Sequence, residues 1–362
     1  MNRVLRLGTA GAIVALLVPL GATPANADDD RSAPRFTQVN QVSDDPAEHP
    51  NVLDANAVNS WGLALGPTSP VWVANNGTNT ATLYPGGVGG TPVKPSPFVV
   101  TIPGGAPTGQ AFNGSATDFV VTGPGGGSGG AVFIFASEGG DITGWNRSAD
   151  PTHAILAAHV DGAVYKGLAL WQTPFGPLLL AADFANGRID VFDRTFHRLT
   201  LPQQFFNDPR LPKGYAPFNV MVNGDAVYVS YAKQQAGSTD EQAGPGLGIV
   251  DKFTDLGLTV RRIASHGTLN APWGLAIAPA SFGRFAGALL VGDFGDGRIN
   301  VYGGDDFLGQ LRGTDGRRIS IDGLWALLPG TAASGGVGTL WFSAGPADES
   351  HGLVGQLIPA TS

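Results

Sequence analysis

Apolar positions along this chain fall into strand-sized runs separated by polar, glycine-rich turns. The clearest stretch, Thr268 to Leu311, holds an apolar run from Trp273 to Ile277, a second from Ala288 to Val291, an Asp-Phe-x-x-Gly-Arg turn from Asp293 to Arg298, and a third run from Ile299 to Tyr302. That order predicts a small antiparallel sheet. The same unit recurs over Lys166 to Asp193, where Asp183, Phe184, Gly187, Arg188 and Ile189 match Asp293, Phe294, Gly297, Arg298 and Ile299. Looser copies begin near Asn59-Ser60-Trp61, Asn113, Ala216-Pro217-Phe218-Asn219 and Asp322-Gly323-Leu324-Trp325, giving six copies of roughly 55 residues. The fourth copy carries a polar insertion, Ala232 to Leu247.

No capped amphipathic helical pattern accompanies these runs, which argues against alternating βα units. A sheet system of some two dozen strands rarely stays open, and repeats of this period commonly close radially. The expected fold is therefore all-β, a six-bladed β-propeller, with seven blades as the alternative and a linear solenoid as the competing arrangement. The sixth copy has only three strands of its own, while Phe36 to Val42 alternates like a spare strand. Pairing the two would close the ring and remove two exposed edges.

Composition narrows the class further. Gly 54 and Pro 27 suit many turns, and Cys 0 means that no disulfide framework exists, so packing and hydrogen bonds carry the stability. The first residues combine Arg3 and Arg6, an apolar core from Ala10 to Leu20, and an Ala25-Asn26-Ala27 cleavage pattern. This predicts a signal peptide at 1–27, a single propeller domain at 28–362, and a secreted product. The apolar core is short of the ~20 residues needed to span a bilayer, and no later stretch is apolar enough, so no membrane span is expected. A formal charge of −8 makes nucleic acid an improbable partner.

In a propeller the first strand of each blade lines the channel, and the loops entering it share a face with those leaving the second strand. Aligning the copies places Trp61, Asn113, Lys166, Phe218, Trp273 and Trp325 in one ring at the channel mouth, near Asn59, Asn219, Asn270 and Asp322. A second ring is Asn75, Ser137, Asp183, Tyr231, Asp293 and Ala344. Trp61, Asn75, Lys166, Tyr231 and Trp273 are the expected contacts for a small-molecule or polymer ligand, the indoles either stacking on a sugar or filling the space between blades. Asp183, Asn219, Asp293 and Asp322 could instead offer oxygens to Ca²⁺. The alternative for Asp183 and Asp293 is hydrogen bonding within their own turns. Gly126-Gly127-Ser128-Gly129-Gly130 spells a hydrolase motif inside a glycine tract, without the strand-to-helix context that the motif needs. The six histidines are scattered at no zinc-motif spacing.

The phrases Ala271-Pro272-Trp273-Gly274-Leu275-Ala276 and Gly295-Asp296-Gly297-Arg298-Ile299-Asn300-Val301-Tyr302 resemble the NHL-type propeller repeat. Together with Asn59 to Pro67, Gly214 to Asn219 and Ile321 to Leu327 they look like a bacterial secreted family known only as uncharacterised. Asn219 and Asp322-Gly323 are also similar to the metal-ligand pattern of gluconolactonase and regucalcin-type propellers, although Trp61 stands where that pattern has Glu. That likeness implies a metal-dependent hydrolase or lactonase, with Ca²⁺ as cofactor. The catalytic residues stay unassigned. A structural or protein-binding module of the cell envelope is the third expectation, with Ala232 to Leu247 as its contact.

Overall fold

Six antiparallel sheets follow one another along the described residues, 33–360, of a computed structural model. Residues from Pro34 onward form one compact unit, and the expected signal peptide lies outside the described residues. From the channel outward, blade one is Ser60–Ala64, Val71–Asn75, Thr80–Tyr84 and Val99–Thr101. Blade two is Pro107–Phe112, Phe133–Ser137, Asp141–Trp145 and Ile155–His159, with a small hairpin, Val120–Thr122 and Ser128–Gly130, inserted after its first strand. Blade three has only Tyr165–Thr173, Gly176–Asp183 and Arg188–Phe192. Blade four is Tyr215–Asn223, Ala226–Gln234, Gly248–Thr254 and Thr259–Ser265, and blade five is Pro272–Ile277, Leu289–Asp293, Ile299–Gly303 and Asp306–Gln310.

Blade six takes Leu324–Pro329, Leu340–Ala344 and Leu353–Pro359 from the end of the chain and Arg35–Ser43 from its beginning. The expected closure is borne out: Phe36 pairs with Pro359 and the antiparallel ladder runs to Ser43 opposite Leu353. Side chains reinforce it. Gln41, fully buried, donates to Gln356 Oε1 at 3.1 Å, and Asp44 accepts from the Gly352 amide at 2.8 Å and lies 2.8 Å from the His351 ring. Each inner strand packs against the inner strand of the next blade, and that of blade six returns to that of blade one.

One register feature repeats in every blade. One pair near the start of each inner strand, Ser60 with Asn75, Pro107 with Ser137, Tyr165 with Asp183, Pro217 with Tyr231, Pro272 with Asp293 and Leu324 with Ala344, is followed at once by a shift in register. Such a bulge re-aims the extra side chain. The residues set at this point are Trp61, Thr108, Lys166, Phe218, Trp273 and Trp325. Asn113, expected in this ring, is displaced. It follows the blade-two strand at its far end, where its amide donates to the Ala131 carbonyl at 2.9 Å, and Thr108 stands in its place with its hydroxyl on the Tyr165 carbonyl at 2.7 Å.

After the ring residue comes a glycine in four blades: Gly62, Gly109, Gly167 and Gly274. Neighbouring inner strands approach so closely here that a Cβ on Gly109 would overlap the Leu168 amide nitrogen, and one on Gly62 would strike the Thr108 carbonyl oxygen. Backbone on both sides cannot yield cheaply. Gly109→Ala is therefore expected to lower stability by at least about 1–3 kcal/mol, the usual range for overpacking, whereas Gly114→Ala, with its nearest neighbour 3.5 Å away on the Phe112 ring, should be nearly neutral. Urea unfolding of the two variants checks this, and equal midpoints would contradict the tight ring.

Candidate functional site

The bulged residues of blades one, four, five and six fill the channel with aromatic rings. Trp61 and Trp325 stack with centroids 3.7 Å apart, Trp273 meets them edge-on at 6.3 and 6.0 Å, and Phe218 meets Trp325 at 6.0 Å. The Asp-Phe-x-x-Gly-Arg turns add to the plug, with Phe294 stacked on Trp325 at 4.1 Å and Phe184 at 5.3 Å from Phe218. Trp61, Trp273 and Trp325 are 1 %, 4 % and 0 % exposed. Each indole buries roughly 150–250 Å², about 4–6 kcal/mol of gross hydrophobic stabilisation. Of the two roles open to them, these rings take that of core, and no broad indole face is left for a sugar. Two indole N–H groups are also used internally: Trp325 donates to Asn59 Oδ1 at 2.9 Å and Trp273 to the Lys166 carbonyl at 3.1 Å.

Lys166 is the exception in the ring. Its ammonium lies 5.1 Å from the centre of the Trp61 ring and 2.5 Å from Glu138 Oε1, with Asp240 at 3.8 Å, and the side chain is only 2 % exposed. Burial works against its charge, but Glu138, Glu241 and Asp240 outweigh that and hold its pKa above the ordinary lysine value. Around this pair, Asn76 donates to Glu138 Oε2 at 3.1 Å and Asn59 to Glu349 Oε2 at 2.6 Å. Burial pushes Glu241 up to about 7 in spite of Lys166, and raises Glu349 against the Asn59 bond and Lys166. Four carboxylates thus surround one lysine.

The loops that bring these groups to Lys166 come from blades one, two, four and six. Glu138 directly follows the second strand of blade two, Asn76 that of blade one, and Glu349 lies beyond that of blade six. Ala347, Asp348 and Glu349 all have left-handed φ, at 56°, 53° and 64°, where non-glycine residues are uncommon. Asp240 and Glu241 sit in the blade-four insertion, which the structure folds over the mouth. Its second strand runs on to Gln234, Glu241 and Gln242 pair back onto it, and the Gly244 amide donates to Asn270 Oδ1 of blade five at 2.6 Å.

The second ring expected from the sequence lies inside the blades. Asn75 is fully buried and serves its own sheet, accepting from Ser60 and donating to Thr82 at 2.9 Å. Tyr231, 2 % exposed, packs in the core of blades three and four. Asp183 accepts from Asn186 at 2.8 Å and meets Arg188 at 3.2 Å, Asp293 accepts from Asn300 at 2.6 Å, and Asp322 accepts from the Ala347 amide at 2.9 Å. Burial raises the pKa of both Asp183 and Asp293. Asn219 spends its amide on the Trp273 carbonyl, 2.7 Å, and the Val220 N–H, 2.8 Å. Among the described residues no three His, Cys, Asp or Glu side chains come together as a metal-holding group. Each of the four oxygen donors named from the sequence thus has a protein partner of its own. Of the five expected ligand contacts, only Lys166 belongs to the polar cluster, with Trp61 and Trp273 beneath it.

No family model matches the chain. Among solved structures, a protein of unknown function from Bacteroides thetaiotaomicron aligns at 12% identity over 90% of this chain and 73% of its own, with a TM-score of 0.50. A streptogramin B lyase aligns at 13% identity over 90% and 97% with a TM-score of 0.47, and a gluconolactonase of Xanthomonas campestris at 13% over 63% and 82% with 0.39. Likeness at this level concerns the fold alone. The sequence relatives are nearer: two uncharacterised proteins of Acanthamoeba polyphaga mimivirus, L690 and R648, each 32% identical over 84% of this chain and over 81% and 76% of their own lengths. The expectation from the sequence was a bacterial family, whereas these relatives are viral. The chain belongs to the family of these uncharacterised proteins.

Proposed function

We propose that this protein is a ligand-binding propeller whose acidic mouth receives a small cationic ligand over the tryptophan plug. The observation that carries this reading is the buried Lys166 ammonium held at 2.5 Å by Glu138 inside a set of four carboxylates from three loops. Burying such a pair contributes little net stability, since desolvation offsets the attraction. Perturbed charges gathered in a mouth are more often functional. With Lys166 already engaged, the excess carboxylates favour an amine over an anion, and Asn59 and Asn76 supply oriented amides beside them. The run of left-handed residues that carries Glu349 supports the same reading, since backbone strain concentrates at ligand clamps.

Hydrolytic chemistry is the second reading, favoured by Glu241. A carboxyl poised at about 7 next to a lysine is suited to general acid–base work at neutral pH.

Three outcomes test the mouth. Putrescine, used as a diamine probe at low salt, is expected to raise the melting temperature while gluconate does not, and Glu349→Gln should weaken that protection about 2- to 5-fold, the scale of one partly exposed charge. Protection by gluconate instead would reverse the proposed charge preference. Lys166→Met should cost about 3–5 kcal/mol by stranding Glu138, and adding Glu138→Gln should restore part of the loss in urea unfolding; a double variant no more stable than the single would speak against the pair. Finally, Glu241 titrates near 7 when folded and near ~4.3 when unfolded. Because the folded state holds the proton more tightly, this contribution is complete below the unfolded value and is lost as pH rises through the folded one. Stability should therefore fall from about pH 4.5 to 7 less steeply in Glu241→Gln than in the parent, and identical slopes would contradict the raised pKa.

A further inference from the structure

Among the described residues blade three alone has no fourth strand, so Arg188–Phe192 forms its outer edge. The chain that follows begins to pair with this edge and then leaves it. Arg198 bridges Phe192, and the Leu199 amide donates to the Val191 carbonyl at 2.8 Å. Val191 therefore turns its main-chain groups outward, and by the two-residue period of a strand so does Ile189. The pair that would come next, Ile189 with Leu201, does not form, and Pro202 beyond it has no N–H for a ladder. Among the described residues the Ile189 amide and carbonyl have no main-chain partner on that side.

In the place of the missing strand lies a cleft of about 480 Å³. One wall is the edge from Gly187 to Val191, and the other is the connection from Arg198 to Asn207, of which Thr200 to Gln203 are exposed. Strand alternation divides the chemistry of the cleft. Ile189 and Val191 join Phe206 and Tyr215 in the apolar cluster shared with blade four. Arg188 and Asp190 lie on the opposite face, where Asp190 accepts from the Tyr165 hydroxyl at 2.9 Å. The aspartates are buried, Asp190 at 6 % and Asp183 at 0 %, whereas Arg188 and Arg198, which they neutralise, are 46 % and 41 % exposed. A guanidinium has five N–H donors, and these carboxylates take only some of them. The charge within reach of an occupant is therefore positive.

We infer that this edge is a docking site for an extended peptide segment of a partner protein, which pairs its main chain with Ile189 as the fourth strand of blade three and alternates acidic with apolar side chains. The acidic positions meet Arg188 and Arg198, and the apolar ones lie on the face of Ile189, toward Phe205 and Phe206. Strand addition of this kind takes its affinity from main-chain hydrogen bonds and its specificity from alternate side chains. Proteins usually cover or blunt a strand edge, whereas the connection here covers only the end beside Val191. The site belongs to the outermost strand of its blade and uses none of the groups at the channel mouth.

Hydrogen–deuterium exchange on the full chain, resolved to single residues over 187–193 by fragmentation mass spectrometry, tests this with the peptide acetyl-Glu-Val-Glu-Val-Glu-amide. The Ile189 amide of the free protein is expected to exchange rapidly, and the peptide at about 1 mM should slow it. The same peptide N-methylated at both valines, which removes the donors facing Ile189, should bind about 3- to 10-fold more weakly, the yield of one net hydrogen bond. The counterpart with lysine in place of glutamate should bind about 2- to 5-fold more weakly, and Arg198→Gln should narrow that difference. A thermal melt establishes that this variant is folded; if it is not, the three peptides on the parent still decide. Unchanged Ile189 exchange at about 5 mM peptide would overturn the inference. Equal protection by the N-methylated peptide would overturn strand pairing, and equal protection by the lysine peptide would overturn the charge preference. Protection that grows with protein concentration in the absence of peptide would assign the edge to a second copy of the chain instead.

Discussion

A single bulge, placed at the same register position in six inner strands, governs the rest of this molecule. A regular strand would alternate its side chains between the two faces of its own blade. The irregularity near the start of each inner strand instead presents Trp61, Thr108, Lys166, Phe218, Trp273 and Trp325 at a common level. The glycine that follows in four of the blades lets neighbouring strands close in behind them. Side chains separated by more than two hundred residues thereby meet, and the stacked pair Trp61 and Trp325 joins the first blade to the last.

Filling that level with indoles divides the channel. On one side the loops after the second strands supply Asn76, Glu138 and Glu349, and the blade-four insertion supplies Asp240 and Glu241. The Asp-Phe turns of blades three and five send Phe184 and Phe294 to the plug at the positions where blades one and two send Asn76 and Glu138. The mouth is therefore polar on one flank and aromatic on the other, although the blades are copies of one unit. On the other side, the same inner strands present mostly apolar side chains and no charged one. Two chambers of opposite chemistry follow from one layer of packing.

Much of this architecture was legible in the chain because its signals are local. Period-two alternation marks strands, and the glycine in the Asp-Phe-x-x-Gly-Arg turn adopts φ of 64° at Gly187 and 70° at Gly297, a conformation that suits it. The spare strand at Phe36 to Val42 was readable for the same reason. Blade two misled the alignment, since the connection between its first strand and the inserted hairpin carries Asn113, which was matched to the Asn59-Ser60-Trp61 entry although it lies at the wrong end of the strand. The site was less legible. Glu138, Asp240, Glu241 and Glu349 lie in connections that the repeat does not constrain, and only ring closure brings them to Lys166. Whether Trp61 and Trp273 would face ligand or each other likewise depended on neighbouring blades. A signal for Glu138 and Asn76 did exist, as both occupy the position matched by Phe184 and Phe294 one step after the second ring.

The most direct measurement of the account is a double-mutant cycle between Trp61 and Trp325, using leucine at each position and equilibrium unfolding as the readout. The stacked plug predicts a coupling of about 0.5–1.5 kcal/mol or more between residues of the first and last blades. Losses that add within about 0.3–0.5 kcal/mol, as independent sites do, would mean that the two indoles do not meet and that the channel is not closed by them.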